Sequence, residues 1–399
     1  MKNGTKALLF SCVFLYLEGC ETVKNEENGP EVQISKIRAE FAPDKRVALF
    51  EVAAIKNKEN YILKGESDMP AAIHALKQKL TAEHIQFVDS IQLLPTAELE
   101  DKTQAIVNIS VANLRSNPKH SAELATQATL GTPVKVLKKE DGWFYIQTPD
   151  KYLSWVDDGG ITLMDPTRLE EWKANDKIIF TKTYGHAYTT GELEWNESIV
   201  SDLVAGSVLE VVDYKRPYFV VKFPDGRLAN VARNEAREYK FWIEALDHTT
   251  ESLVNTSKTL MGVPYLWGGT STKGMDCSGF TKTVYFLNGM VIPRDASQQV
   301  HAGKPIDSVQ NFDNLEKGDL LFFGTKATDS TKEKVVHVGM WIGNNEFIHA
   351  SNMIRISSMD PNAANFDEWN RKRYLRTKRM LNEEGEALID LSMIPLFKD

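Results

Sequence analysis

Apolar and polar positions change rhythm several times along the chain. Val47 to Ile55 and Tyr61 to Leu63 are β-rich runs parted by the polar turn 56–60, which predicts two paired strands. Ser67 stands before a stretch in which Ile73, Leu76 and Leu80 recur at helical spacing, so a helix with Ser67 as N-cap is expected. Ile85 to Ile91 reads as a further strand. Together these predict a small α+β unit over residues 39–103. It carries no chemical motif, which leaves spacing or docking its neighbours as its role.

A repeat follows. Residues 131–156 align without gaps to 206–231 at an offset of 75: Gly131 with Gly206, Val136 with Val211, Phe144 with Phe219, Pro149-Asp150 with Pro224-Asp225, Val156 with Val231. Trp143 becomes Tyr218 and stays aromatic. Short alternating stretches between Gly, Pro and Asp turns predict two small β-barrels, over 104–165 and 176–245, with 166–175 as connector. Their aromatics are expected mainly in the cores, with Tyr152 and Trp155 at the edge of the first barrel as exceptions. Beyond residue 246, Leu253 to Leu260 predicts a helix closed near Gly262. Phe280, Val284 and Leu287 mark a second helix, and 335–342 and 346–350 read as strands around Gly343-Asn344-Asn345.

The N-terminus has a different pattern. Lys2 and Lys6 precede an eleven-residue apolar run, Ala7 to Leu17. A helix crossing a bilayer needs about 20 residues, so this run suits a secretory signal rather than a span. It ends in Leu17-Glu18-Gly19-Cys20, which resembles a bacterial lipobox, although Glu18 departs from the usual small or apolar residue. Residues 1–19 are therefore expected to be a signal peptide, Cys20 the lipidated residue, and the acid-rich stretch 20–38 a tether.

Composition narrows the chemistry. A formal charge of -8 over 399 residues gives no field that would draw nucleic acid. Three cysteines exclude a disulfide-stapled scaffold and a cysteine-rich metal site. Cys12 would leave with the signal and Cys20 would carry lipid, so Cys277 remains as a lone thiol. A lone cysteine is commonly an inert buried hydrophobe. Here Asp276-Cys277-Ser278-Gly279-Phe280 opens a helix, where free N–H groups and the dipole favour thiolate. His337 and His349 are candidate bases. They lie 12 apart, and across a simple hairpin they share a face only with an odd-length loop or a bulge. The other six histidines form no zinc-protease motif, and Gly268-Gly269 reads as a close-approach turn because no Gly-Lys-Ser/Thr follows. No metal or organic cofactor is implied.

Residues 250–357 resemble the NlpC-type cell-wall cysteine peptidases, a papain-like family. The motifs run in order: Gly262-Val263-Pro264-Tyr265, Trp267-Gly268-Gly269, Asp276 to Phe280, Pro293-Arg294-Asp295, Gly318 to Phe323, His337-Val338-Gly339 and Phe347 to Ala350. The resemblance implies Cys277 as nucleophile, His337 as general base and His349 as its orienting residue. The two barrels resemble bacterial SH3-like domains, with Asn113-Leu114-Arg115 near the start of the first. The implied fold is multidomain: the small α+β unit, two SH3-like barrels and a C-terminal α+β papain-like domain over 246–399.

This arrangement resembles the γ-D-glutamyl-L-diamino acid endopeptidases, in which the first barrel walls the cleft and selects a free N-terminal L-Ala. The implied partners are peptidoglycan stem peptides and, through the lipid, a membrane at the cell envelope; a monomer is expected. Tyr265, Trp267, Asp276, Ser278, Arg294, Asp295 and Ser297 fall on pocket motifs. From the first barrel, Glu123 is nominated for the substrate amine and Tyr152 for the wall. Arg294 suits a substrate carboxylate or an ion pair with a neighbouring Asp. Two other readings stay open: a thiol acyltransferase, which a long apolar groove would favour, and a non-catalytic wall-binding protein.

Overall fold

The computed structural model describes residues 29–189 and 198–393. The apolar N-terminal run, Cys12 and Cys20 lie outside the described residues.

The stretch expected to be a tether ends early. Pro30–Phe41 is a helix, with Pro30 in the first turn, where its missing N–H costs nothing. Its Ile34 and Ile37 pack with Phe50, Val52, Leu63, Ile73, Leu76 and Leu80. That helix and Pro70–Ala82 cover one face of a three-stranded sheet in the order Phe50–Asn57, Asn60–Ser67, Phe87–Leu93. The first pair is antiparallel and the second parallel. All three strands lie a few residues off the expected limits. Ser67 is not the helix cap. Pro70 starts the second helix after Met69, and the Ser67 hydroxyl instead accepts from Met69 N–H at 3.0 Å and donates to the Leu49 carbonyl at 2.8 Å.

The repeat proves to be a repeat of structure. Each barrel sheet has seven strands, and the two strand orders superimpose when one is reversed. Pro133–Glu140, Trp143–Gln147 and Leu153–Asp157 correspond to Val208–Tyr214, Tyr218–Lys222 and Leu228–Ala232. Even the bulges match, one between Val136 and Lys138 and one between Val211 and Asp213. The bulged residues part company. Leu137 is buried with Leu49, Leu94 and Leu153 against the N-terminal unit, whereas Val212 is exposed. At this position the first barrel offers that unit an apolar seat. The stretch joining the barrels is a helix, Pro166–Ala174, capped by Asp165. Its Trp172 is buried with Ile106, Ile179, Trp242 and Val291, at the junction of both barrels and the C-terminal domain.

In that domain the helices Thr250–Thr259 and Cys277–Phe286 flank an antiparallel six-stranded sheet. Its order is Lys304–Asp307, Tyr374–Arg379, Leu320–Thr325, Lys334–Gly343, Glu346–Ser351, Met353–Ser358. Phe280 and Val284 meet Leu320, Phe322, Val338, Met340 and Ile348 on one face, while Leu321, Phe323, Trp341, Phe347 and Tyr374 pack on the other.

Barrel and C-terminal domain are joined by polar groups removed from water. Gln127 accepts from Thr270 N–H at 3.0 Å and from the Ser271 hydroxyl at 2.9 Å. Lys282 pairs with Asp150 at 2.6 Å, the two side chains being largely covered. Gly268 has φ +78, and a Cβ there would stand 2.1 Å from the Leu124 carbonyl oxygen. The glycine is thus required for the barrel backbone to come this close.

Candidate active site

Helix Cys277–Phe286 begins at its reactive residue, as the spacing predicts. Asp276 is the N-cap and accepts from Gly279 N–H at 2.7 Å. The same carboxylate accepts from Gly268 N–H at 3.0 Å, the Ser278 hydroxyl at 3.2 Å and Arg294 through both terminal nitrogens at 3.1 and 2.6 Å.

Arg294 is 1% exposed and donates further to Ser278 Oγ and, from Nε, to Thr126 Oγ1 of the first barrel. Of the two readings of Arg294, the structure shows the ion pair; its guanidinium is committed to Asp276 rather than open to a substrate carboxylate. Asp276 and Ser278 are buried parts of the same frame.

The expected thiolate does not follow from the helix start. Burial first, and then the Asp276 carboxylate, push the Cys277 thiol up to about 12. The N–H groups of Val338 and Ser278 and the Arg294 charge oppose this and are outweighed. Removing a charge from water outweighs one helix terminus. Burial also lowers His337 well below its ordinary 6.5 and takes His349 down to about 3. Burial thus favours the neutral form of both the thiol and the His337 imidazole.

The two histidines meet through a bulge. Met340 pairs with Ile348 and Trp341 with Phe347, but Gly343 pairs with Glu346, so Ile342 is the extra residue. The register, carried one place further, sets His349 opposite Gly339 and makes His337 its diagonal neighbour on the same face. Gly339 leaves the necessary room, since a Cβ there would lie 2.6 Å from the Phe347 ring and 3.2 Å from the His349 Cβ. His337 Nε2 and His349 Nδ1 are 2.8 Å apart, and His349 Nε2 lies 3.0 Å from Ser357 Oγ. No motif in the sequence points to Ser357. Its signal is a buried serine, the first of the pair Ser357-Ser358 on the next strand, two places from Arg355, which stands opposite His349.

This chain of bonds sets the tautomers. If His337 Nδ1 is to take the thiol proton, its Nε2–H donates to His349 Nδ1 and His349 Nε2–H donates to Ser357.

Both imidazoles refuse protons that the unfolded chain takes up below about pH 6.5. The sign follows: stability is full above 6.5 and falls as pH drops below it, for His349 down to about 3 and at up to about 1.4 kcal/mol per pH unit. Urea unfolding at about pH 7.5 and 5.5 should show a smaller acid loss in His349→Gln than in the unaltered chain; equal losses would refute the assignment.

The rim brings distant residues together. Exposed Trp267 donates its indole N–H to Glu123 Oε1 at 2.7 Å. Tyr265 is half-buried within the electrostatic reach of Cys277, Asp276 and Arg294. Tyr152 is buried and donates its hydroxyl to Asp295 Oδ2 at 3.1 Å. Asp295 and Ser297 both receive Nη1 of Arg46, at 2.8 and 2.9 Å. Trp155, by contrast, stacks on Tyr145 beneath Lys138, which pairs with Glu66 of the N-terminal unit. Among the described residues no cluster of three or more His, Cys, Asp or Glu could hold a metal.

Parts of the chain are similar to known proteins. The NlpC/P60 family profile matches residues 262–372, and a bacterial dipeptidyl-peptidase Sh3 domain profile matches 114–161. A gamma-D-glutamyl-L-lysine dipeptidyl-peptidase of Bacillus cereus is 32% identical over 57% of this chain and 67% of its own length. Dipeptidyl-peptidase 6 of Lysinibacillus sphaericus is 28% identical over 64% of this chain and 92% of its own. A murein DD-endopeptidase/LD-carboxypeptidase of Escherichia coli is 38% identical, over 30% of this chain and 57% of that one.

Among solved structures, an NlpC/P60 family protein from Bacillus cereus superposes with a TM-score of 0.59 at 25% identity, over 70% of this chain and 99% of that one. An NlpC/P60 endopeptidase from Photobacterium damselae subsp. piscicida shares the fold, with a TM-score of 0.51 at 15% identity over 88% of this chain and 82% of that one. With its cysteine at a helix start, paired histidines on the facing sheet and a preceding Sh3 barrel, the chain belongs to the NlpC/P60 family of peptidases.

Proposed function

We propose that this peptidase hydrolyses the γ-D-glutamyl–L-diamino acid bond of peptidoglycan stem peptides, acting on released fragments with a free N-terminal L-Ala. The observation that carries this reading is Glu123. A carboxylate of the first barrel is held by the exposed indole of Trp267, and among the described residues its second oxygen has no hydrogen bond or ion pair. Such a group selects an ammonium and disfavours an acylated amine. The name of the Bacillus cereus relative, a gamma-D-glutamyl-L-lysine dipeptidyl-peptidase, supports the same bond.

Cys277 Sγ attacks the γ-glutamyl carbonyl as its proton passes to His337 Nδ1, the ring nitrogen that His349 leaves open. Backbone N–H groups at the start of helix Cys277–Phe286 hold the oxyanion. His337 then protonates the departing amine of the diamino acid, leaving a thioester on Cys277. Water attacks the thioester, gives a proton to His337, and releases the dipeptide acid with the thiol restored. His349 and Ser357 hold the imidazole plane throughout. Glu123, Trp267, Tyr152 and Asp295 carry polar groups bonded to one another in pairs, which disfavours the apolar groove an acyltransferase would need. The intact Cys277–His337–His349 set disfavours a purely wall-binding role. The lipobox-like segment at Cys20 supports an exported, lipid-anchored protein acting at the cell envelope.

The experiment compares kcat/KM for L-Ala-γ-D-Glu-L-Lys and its N-acetylated form. At least about a hundredfold preference for the free amine is expected, and Glu123→Gln should abolish most of it. Equal cleavage of both peptides would refute the amine gate.

A further inference from the structure

Two side chains of the N-terminal unit, Asp44 and Arg46, bond to the C-terminal domain. Asp44 fixes the Arg46 guanidinium with paired bonds, Nε to Oδ1 at 2.8 Å and Nη2 to Oδ2 at 2.7 Å. Gln298 of the C-terminal domain donates to the same Asp44 at 2.8 Å. The remaining edge of the guanidinium is thereby aimed at Asp295 Oδ2 and Ser297 Oγ. On the other side, the Arg46 carbonyl accepts from Leu153 N–H at 2.7 Å, and Val47 C=O from Gln147 Nε2 at 3.1 Å. Tyr152, next to Leu153, donates to the oxygen of Asp295 that Arg46 holds. One residue thus ties together the barrel strand that starts just after Tyr152, the carboxylate of Asp295 and the N-terminal unit.

We propose that Arg46 is a positioning residue for the end of the cleft that receives the substrate's N-terminal residue; this rests on the function proposed above. Arg46 compensates the Asp295 charge and fixes the acceptor to which Tyr152 is bonded. Ammonium recognition then falls to Glu123, and Tyr152 stands as a rigid wall. The N-terminal unit bears no chemical motif of its own, yet through Arg46 it completes the substrate site from outside both the barrel and the peptidase fold.

Steady-state kinetics on L-Ala-γ-D-Glu-L-Lys with the whole chain test this, alongside thermal unfolding. Arg46→Ala should raise KM about tenfold while kcat stays within about twofold, because the lost contacts hold substrate rather than reacting atoms. Arg46→Lys should recover part of the KM, since an ammonium restores the charge without the fork. Tyr152→Phe, which removes only the hydroxyl, should raise KM in the same direction and covers the case in which Arg46→Ala fails to fold. An unchanged KM in the folded variants would overturn the proposal, as would equal falls in kcat and melting temperature that Arg46→Lys does not relieve. If the unaltered chain does not cleave the peptide, the parent reading falls and takes this one with it.

Discussion

Cys277→Ala and His337→Ala should each lower kcat for peptide cleavage by at least about a thousandfold, and the double variant should be little worse than either single one. The reason is that the two groups act as a unit. With burial favouring the neutral form of both, the thiolate and the imidazolium form together as the proton moves between them. Removing the sulfur leaves nothing to acylate. Removing the imidazole leaves a thiol that burial keeps protonated up to about 12. This differs from a site holding a preformed thiolate, where losing the base spares much of the nucleophile. Both side chains lie in a packed interior, so melting temperatures must be measured in parallel; a kcat loss that merely tracks unfolding would not count. Single losses that multiply in the double variant would contradict the concerted picture.

Asp276→Ala should destabilise the fold by about 3–5 kcal/mol in urea unfolding, because it strands the Arg294 charge in the interior. The loss compounds several contacts. Asp276 caps helix Cys277–Phe286, accepts from the Gly268 turn against the barrel, and neutralises a guanidinium that is 1% exposed. Arg294→Met alone should also be costly, since it leaves the Asp276 carboxylate without its counter-charge. The double variant Asp276→Asn/Arg294→Met should cost clearly less than the sum of the singles, as neither charge then remains. Simple additivity would show that the pair does not act as a unit.

Features set by local pattern are legible in the sequence. The repeat at offset 75 extends to its bulges because each barrel turns at the same Gly, Pro and Asp positions. The helix start at Cys277 follows from Phe280 and Val284, and the two histidines from apolar strands around three turn residues. Features set by tertiary packing are not. The bulge at Ile342 decides a parity that the twelve-residue spacing leaves open. The thiol's protonation is decided by burial, which no local motif reports. Arg294 fits two roles by sequence, and only the fold shows that Asp276 occupies it. The stretch 30–38, most of helix Pro30–Phe41, reads as a tether because its polar and charged residues mask a narrow apolar edge of Ile34 and Ile37 and the Pro30 start signal. Arg46 reaches residues 249 and 251 positions away, a contact that only the docking of three domains creates.

The central claim is that Cys277 opens the bond between γ-D-Glu and the diamino acid. Mass spectrometry of L-Ala-γ-D-Glu-L-Lys incubated with the unaltered chain and with Cys277→Ala tests it most directly. The predicted result is L-Ala-D-Glu and free lysine with the former and intact tripeptide with the latter. Release of free L-Ala, or the same dipeptide appearing with Cys277→Ala, would contradict it.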